Sequence, residues 1–103
     1  LIDKMIHLRV FDDEEGVMNR SLLDVGGSVL SISQFTLYAD TKKGRRPSYI
    51  HALRGEESSQ LYELFNQKLS ALQIPYATGI FGANMKVSIT NDGPATFMLE
   101  SRS

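Results

Sequence analysis

One long stretch of the chain repeats its apolar residues with the period of an α-helix. It runs from Glu56 to Leu72, with acidic residues in its first turn and a lysine near its end, as the helix dipole favours. Its apolar residues share one face, and they are Leu61, Leu64, Phe65, Leu69 and Leu72. We therefore predict one long helix that packs against the core.

Several shorter stretches alternate apolar and polar residues, which is typical of β-strands. The stretch 28–38 is rich in β-branched and aromatic residues and has apolar positions on both faces, which predicts a strand buried on both sides. The other predicted strands are 7–11, 17–23, 74–77, and a final hairpin formed by 86–90 and 97–99. Residues 1–6 have the pattern of the last turns of a helix.

Together these elements predict a single α+β domain over residues 1–103. We expect a small β-barrel-like or layered β/β/α structure, with the long helix packed on the sheet. A chain of 103 residues suffices for one small domain and not for two. It starts with Leu1 in the middle of a helical pattern, so we expect it to be truncated at its N-terminus.

Composition narrows the possible functions. Hydrophobic residues make up 42% and charged residues 22% of the chain, and the net charge is −1, as in ordinary globular proteins. No apolar run approaches the roughly 20 residues of a membrane span, and we find no signal peptide. Without cysteine, neither a disulfide framework nor a thiolate zinc site can form. We predict a cytoplasmic protein that does not contact membranes.

Metal chemistry is weakly supported by the sequence. Four consecutive carboxylates at 12–15 suggest a cation, but metal-binding loops space their ligands along the chain. A solvated acidic turn is the better interpretation. With only His7 and His51 and no His-x-x-x-His spacing, we predict no metal and no cofactor.

Side-chain nucleophiles have no evident base. Ser33 and Thr36 would need a histidine, and no spacing brings His7 or His51 to them. If residues 33–37 form a strand, Gln34 and Thr36 point to the face opposite Ser33. A site here would then recruit backbone N–H groups, as an oxyanion hole does.

Two loops allow two interpretations each. Four of the eleven Lys and Arg residues occur within residues 42–46, either in a solvated loop or in one that contacts phosphates, with Gly44 letting the backbone approach. The loop Asn91-Asp92-Gly93-Pro94 is either an ordinary hairpin turn or a segment that presents bare main chain to a ligand. A Gly-Pro bond can be cis at modest cost.

Four segments together resemble the D-aminoacyl-tRNA deacylase family. They are Ser33-Gln34-Phe35-Thr36-Leu37, the basic segment 42–48, Gly79-Ile80-Phe81-Gly82-Ala83-Asn84-Met85, and Asn91-Asp92-Gly93-Pro94-Ala95-Thr96. SQ-x-x-L and N-x-GP-x-T are the signature motifs of that family, and they occur here in the family's order. The resemblance covers essentially the whole chain. The family has a further N-terminal β segment that this chain lacks.

The resemblance implies an enzyme that cleaves the ester between a D-amino acid, or glycine, and tRNA. It implies a homodimer in which Gly93 and Pro94 of one subunit, joined by a cis bond, enter the site of the other and exclude L side chains. The backbone near Phe35 would supply the oxyanion donors, and Ser33 and Gln34 would shape the pocket for the terminal adenosine and the ester.

The resemblance assigns roles to further residues. Thr36 is the family's candidate nucleophile, although attack by water aided by the 2′-hydroxyl of tRNA fits better because no base is visible. The chiral filter would also involve Asn91, Thr96 and Met85. The residues expected to hold tRNA are Lys42, Lys43, Arg45 and Arg46.

Two other functions remain open at the level of sequence. One is an RNA-binding module of the same fold without catalysis. The other is a structural β-domain, in which Gly93-Pro94 would be trans and no dimer would form across it.

Overall fold

The computed structural model describes residues 1–101 of the chain. Two helices, three short strands and a 3-10 helix precede the long helix, and one strand follows it. In chain order the elements are α1 (Ile2–His7), β1 (Phe11–Asp12), β2 (Met18–Arg20), α2 (Leu22–Val25), β3 (Val29–Ser31), the 3-10 helix η1 (Phe35–Tyr38), α3 (Gly55–Ala71) and β4 (Tyr76–Thr78). The prediction of a mixed α and β domain is confirmed.

The long helix is confirmed, but its predicted burial is only partly correct. α3 begins one residue before the predicted start and ends one residue before the predicted end. Leu69 is fully buried and Phe65 packs against the core, whereas Leu61, Leu64 and Leu72 are 45–59% exposed. Part of the apolar face therefore lies against no other element of the described chain.

The sequence predicted a barrel-like or a layered structure; residues 1–101 form two separate two-stranded sheets and no closed barrel, and the layered β/β/α arrangement stays a prediction. β1 pairs antiparallel with β2, and β3 pairs parallel with β4. The predicted final hairpin is also wrong, since residues 86–90 and 97–99 form no strand. A strand needs a neighbour to satisfy its backbone groups, and the described residues offer none to these two segments.

Two predicted strands differ in extent from the observed structure. His7 belongs to α1, where its ring lies 2.8 Å from the carbonyl oxygen of Asp3, so 7–11 contributes only Phe11 to a strand. Within 28–38, the strand is limited to β3, and the chain turns into η1 four residues later. The predicted strand at 74–77 is confirmed as β4 with a shift of its bounds.

A capping box explains why the predicted strand 17–23 stops after β2. The Ser21 side chain accepts from the Asp24 backbone N–H, and the Asp24 carboxylate accepts from the Ser21 N–H. These bonds start α2 and hold the pKa of Asp24 below its ordinary value. Leu22 in this helix is buried, so the cap also fixes one side of the core.

The core is small for the length of the chain. Its buried apolar residues are Ile6, Leu22, Leu69 and Ile74. The radius of gyration is 15.9 Å, against about 13 Å for a compact domain of this length. The accessible surface is 9083 Å², against about 5,800 Å² for a compact monomer of this mass. The chain is therefore less compact than a monomer of its mass usually is and leaves more surface exposed.

None of the helices within residues 1–101 combines the length and the apolarity needed to cross a membrane.

Candidate active site

The parallel pair of strands brings two of the motif segments to one edge. Ser31 lies opposite Thr78, and these are the last residues of β3 and β4. Because parallel strands have their carboxyl ends at the same edge, residues 33–36 and 79–85 both leave from that edge. Ligand sites in parallel sheets commonly lie outside the carboxyl ends of the strands.

The segment 33–36 is arranged around a side-chain hydrogen bond. The Gln34 amide donates to Oγ1 of Thr36, and both residues are exposed, while Ser33 is half-buried. Burial of this segment and the two-faced strand geometry were predicted, and both are wrong because Phe35 and Thr36 belong to η1.

Within residues 1–101, no histidine is hydrogen-bonded to Thr36. His7 is bonded within α1, and Nε2 of His51 lies 3.9 Å from a carboxylate oxygen of Asp40. Oγ1 of Thr36 instead accepts a hydrogen bond from the Gln34 amide, which does not help the hydroxyl to lose its own proton. This arrangement disfavours Thr36 as a nucleophile.

The start of η1 offers main-chain donors. The first N–H groups of a helix have no partner inside the helix, and Gln34 at the N-cap makes no side-chain capping bond. The Phe35 side chain is 59% exposed, so the backbone here is close to the surface. Two adjacent N–H groups in such a position can stabilise an oxyanion.

The segment 79–85 folds back on its own methionine. The Ile80 N–H donates to the Met85 sulfur at 3.4 Å. Met85 also approaches Gly79 so closely that a Cβ at that position would overlap the sulfur. Glycine at 79 therefore lets Met85 pack against the chain just beyond β4.

The basic loop is closed at its base and open at its tip. Asp40 and Ser48 exchange two backbone hydrogen bonds of 2.6 and 2.8 Å, and an Asp40 carboxylate oxygen accepts from the Lys42 N–H. Gly44 has φ 68°, which favours glycine at the turn. The four cationic side chains are exposed and, within residues 1–101, lie within 4.0 Å of no carboxylate: Lys42, Lys43, Arg45 and Arg46.

An aromatic pair joins this loop to η1. The rings of Phe35 and Tyr49 meet edge to face with centroids 4.9 Å apart. The loop thus begins at Asp40, two residues after η1, and the residue that follows it, Tyr49, contacts the first residue of η1. Sequence analysis did not identify Tyr49 as part of the site, because only the folded loop shows its contact with Phe35.

The segment Asn91–Thr96 carries the other signature motif and lies on the surface. The Gly93–Pro94 bond is cis, and Gly93 has φ 118°, a conformation that side chains other than hydrogen rarely allow. Among residues 1–101, this segment makes no hydrogen bond to residues 33–36. A single chain therefore does not join the two signature motifs through hydrogen bonds.

One carboxylate of the acidic turn, that of Asp13, is already engaged in hydrogen bonds to neighbouring residues. The Asp13 carboxylate accepts from the N–H groups of Glu15 and Val17 and from the Asn19 amide. The Asn19 bond, followed by the Val17 bond, lowers the pKa of Asp13. Among residues 1–101, no group of three potential ligands is placed to hold a metal ion.

The fold and these segments define a small α+β protein whose polar loops gather at one sheet edge beside a basic loop. Comparison with known proteins agrees. The sequence model of the D-Tyr-tRNA(Tyr) deacylase family matches residues 1–100. The chain belongs to this family.

Several relatives share more than half of the aligned residues. The D-aminoacyl-tRNA deacylase of Thermus aquaticus is 56% identical over 98% of this chain and 66% of its own length. That of Thermomicrobium roseum is 57% identical over the same shares. A Bacillus subtilis relative, 53% identical over 99% of the chain and 77% of its own length, is named an inactive D-aminoacyl-tRNA deacylase. The chain spans about two thirds of the length of the first two relatives.

A solved structure supports the fold. The c-Myc DNA Unwinding Element Binding Protein superposes with a TM-score of 0.86 and 37% identity, over 99% of this chain and 70% of that protein.

Proposed function

We propose that the protein hydrolyses the ester of D-aminoacyl-tRNA, releasing the D-amino acid and tRNA. The observation that carries this proposal is the placement of the Ser33–Thr36 segment, with its main-chain donors, at the sheet edge beside an exposed basic loop. Family membership and the names of its relatives support the same reaction.

In the proposed reaction, a water oxygen attacks the ester carbonyl carbon of the bound substrate. The carbonyl oxygen becomes an oxyanion, which accepts from the N–H groups at Phe35 and Thr36. The bond from this carbon to the ribose oxygen then breaks, and that oxygen takes up the proton that water gave up. The neighbouring 2′-hydroxyl of the tRNA relays the proton, because no histidine within residues 1–101 is hydrogen-bonded to Thr36.

The proposed chiral filter uses main chain. The carbonyl groups of Gly93 and Pro94 from one subunit hold the substrate's α-amino group in the site of the other subunit. An L side chain would collide with them, whereas a D side chain points away. Asn91 and Thr96 hold this loop, and Met85 lines the pocket. Rejection by collision with backbone is steep because backbone yields little. Glycine has no side chain to reject, so glycyl-tRNA is a second substrate.

The proposed active unit is a homodimer with its active sites at the interface between the subunits. The accessible surface exceeds that of a compact monomer, which supports an assembly that buries part of it. The apolar side chains of Leu37, Ile89 and Met98, each more than 70% exposed, support the same proposal. An apolar groove of about 870 Å³ beside α3, which includes Leu1 and Leu61, adds to the apolar surface that a partner subunit could cover. The single-domain arrangement and the cytoplasmic location stay predictions.

The proposed tRNA contact is the basic loop. Its cationic side chains project from a base closed by Asp40 and Ser48, and arginine binds phosphate through two parallel hydrogen bonds. The loop starts two residues after η1, so phosphates near the end of tRNA would lie close to the ester.

A second candidate function is RNA binding without catalysis. The relative named as inactive favours it, since that protein shares 53% of the aligned residues with this chain. Such a module would retain the basic loop and lose ester cleavage.

Release of the amino acid from D-tyrosyl-, L-tyrosyl- and glycyl-tRNA tests the proposal. We expect catalysed release from the D-tyrosyl and glycyl esters, and release of L-tyrosine at the uncatalysed rate, because only the L side chain meets the Gly93–Pro94 carbonyls. Equal cleavage of the D and L esters would contradict the filter. Tight tRNA binding without any cleavage would favour the second candidate.

A further inference from the structure

We propose that Tyr62 of α3 is a positioning residue. It holds the segments 33–36 and 79–85 in fixed positions relative to each other at the sheet edge. This inference rests on the proposed function for its kinetic consequence, but its structural content stands on contacts within the chain. Tyr62 lies outside the signature motifs, and the sequence pattern gives no reason to single it out.

The first contact fixes the strand that leads into residues 33–36. The Tyr62 hydroxyl donates to the carbonyl oxygen of Ser31 at 2.5 Å, and the bond joins residues 31 positions apart. Ser31 is the last residue of β3 and is buried. The carbonyl group that accepts this bond therefore belongs to the residue at which β3 ends, two positions before Ser33.

The second contact reaches the other segment. The Tyr62 ring lies 6.0 Å from the ring of Phe81, centroid to centroid, with the planes tilted by 37°. Phe81 is three residues beyond the end of β4. The half-buried side chain of Tyr62 thus contacts both segments of the chain close to where they leave the parallel pair of strands.

This geometry has a consequence for the chemistry. β3 and β4 pair over only three residues each, so the two strands alone give the segments beyond them little support. The helix α3 is anchored in the core by Leu69, and Tyr62 extends that anchor to the edge. Loss of the hydroxyl bond would loosen the backbone that leads to the oxyanion donors, and catalysis is sensitive to displacements of about 1 Å.

Tyr62→Phe removes the hydroxyl and keeps the ring, and Tyr62→Leu removes both contacts. Tyr76→Phe is the matched control, because Tyr76 lies at the start of β4, away from this edge, and its hydroxyl makes no hydrogen bond within residues 1–101. For D-tyrosyl-tRNA we expect Tyr62→Phe to lower kcat about 10-fold with KM nearly unchanged, Tyr62→Leu to lower it further, and the control to leave both constants unchanged.

Amide hydrogen exchange supplies a readout that does not depend on activity. In Tyr62→Phe we expect faster exchange in residues 32–36, and in Tyr62→Leu also in 79–85, with the rest of α3 protected as before. Unchanged exchange in these segments, or a uniform increase across α3 and the core, would overturn the positioning role. If the unaltered protein fails to cleave D-tyrosyl-tRNA, the proposed function fails, while exchange still decides the role of Tyr62.

Discussion

Replacing Phe35 with proline is expected to lower kcat for D-aminoacyl-tRNA about 100- to 1,000-fold, the range found when one oxyanion donor is removed. Proline lacks the backbone N–H but suits the first position of a helix. Phe35 is the first residue of η1, and Gln34 before it is extended, with φ −150° and ψ 92°, so it lies outside the α region that a following proline disfavours. The substitution therefore deletes the donor with little change in the fold. Steady-state deacylation of D-tyrosyl-tRNA measures the effect.

Two control variants separate the donor from the side chains. Phe35→Leu loses the ring contact with Tyr49 but keeps the N–H, so most of kcat should remain. Thr36→Ala should also retain substantial deacylation, because the Thr36 oxygen accepts a hydrogen bond from the Gln34 amide and no histidine within residues 1–101 is bonded to it. Near-complete loss in a folded Thr36→Ala protein would instead identify Thr36 as the nucleophile, and an active Phe35→Pro protein would exclude this N–H as a donor.

Neutralising the basic loop is expected to weaken tRNA binding at least ~100-fold at low salt and to flatten its salt dependence by about 3 to 4 units of log K per log salt. The variant replaces Lys42, Lys43, Arg45 and Arg46 with glutamine. Each cation that contacts a phosphate releases counterions on binding, and all four are exposed and unpaired within residues 1–101. Filter binding of uncharged tRNA across a salt series gives both quantities.

A matched charge change elsewhere tests whether position matters. Lys4→Gln with Lys68→Gln removes two positive charges from α1 and α3, as Lys42→Gln with Lys43→Gln does from the loop. We expect the loop pair to lower the slope by about 2 and the helix pair to leave it nearly unchanged. Equal effects of the two pairs would mean that tRNA responds to overall charge and not to this loop.

Local patterns predicted the helical part of the fold well. The apolar period and the charges at its ends located α3 within one residue at each end, since a helix satisfies its backbone hydrogen bonds within one segment. The apolar face was predicted less well. Leu61 and Leu64 have the pattern of core residues and remain exposed, because apolar periodicity shows which face of a helix is apolar but does not supply the element that would cover it.

The strands were predicted poorly for the same physical reason. Residues 86–90 alternate as a strand should, yet they form none, because alternation indicates a preference for one buried face and cannot supply the neighbouring strand. In 28–38, only Val29–Ser31 formed a strand, β3, and the positions from Phe35 to Tyr38 turned into η1. Strand propensity depends on context far more than helix propensity does.

The candidate site was predictable as a set of segments but not as an arrangement. The motifs indicated Ser33, Gln34, Phe35 and Thr36, and their roles stay predictions. The parallel pairing of β3 with β4, which brings 33–36 and 79–85 to one edge, is a long-range feature that no local pattern reveals. Tyr62 was missed because its two contacts exist only once α3 crosses that edge.

The central claim is that the Gly93–Pro94 main chain of one subunit acts at the Phe35 site of its partner. Mixing two inactive variants tests it directly. Gly93→Val should be inactive, because Gly93 has φ 118°, which a β-branched residue does not adopt without strain. When Phe35→Pro and Gly93→Val subunits are unfolded together and refolded, half of the dimers are mixed, and one of the two sites in each mixed dimer has both parts intact. We predict deacylation of D-tyrosyl-tRNA at about a quarter of the unaltered rate. Activity no higher than that of the separate variants would contradict the claim.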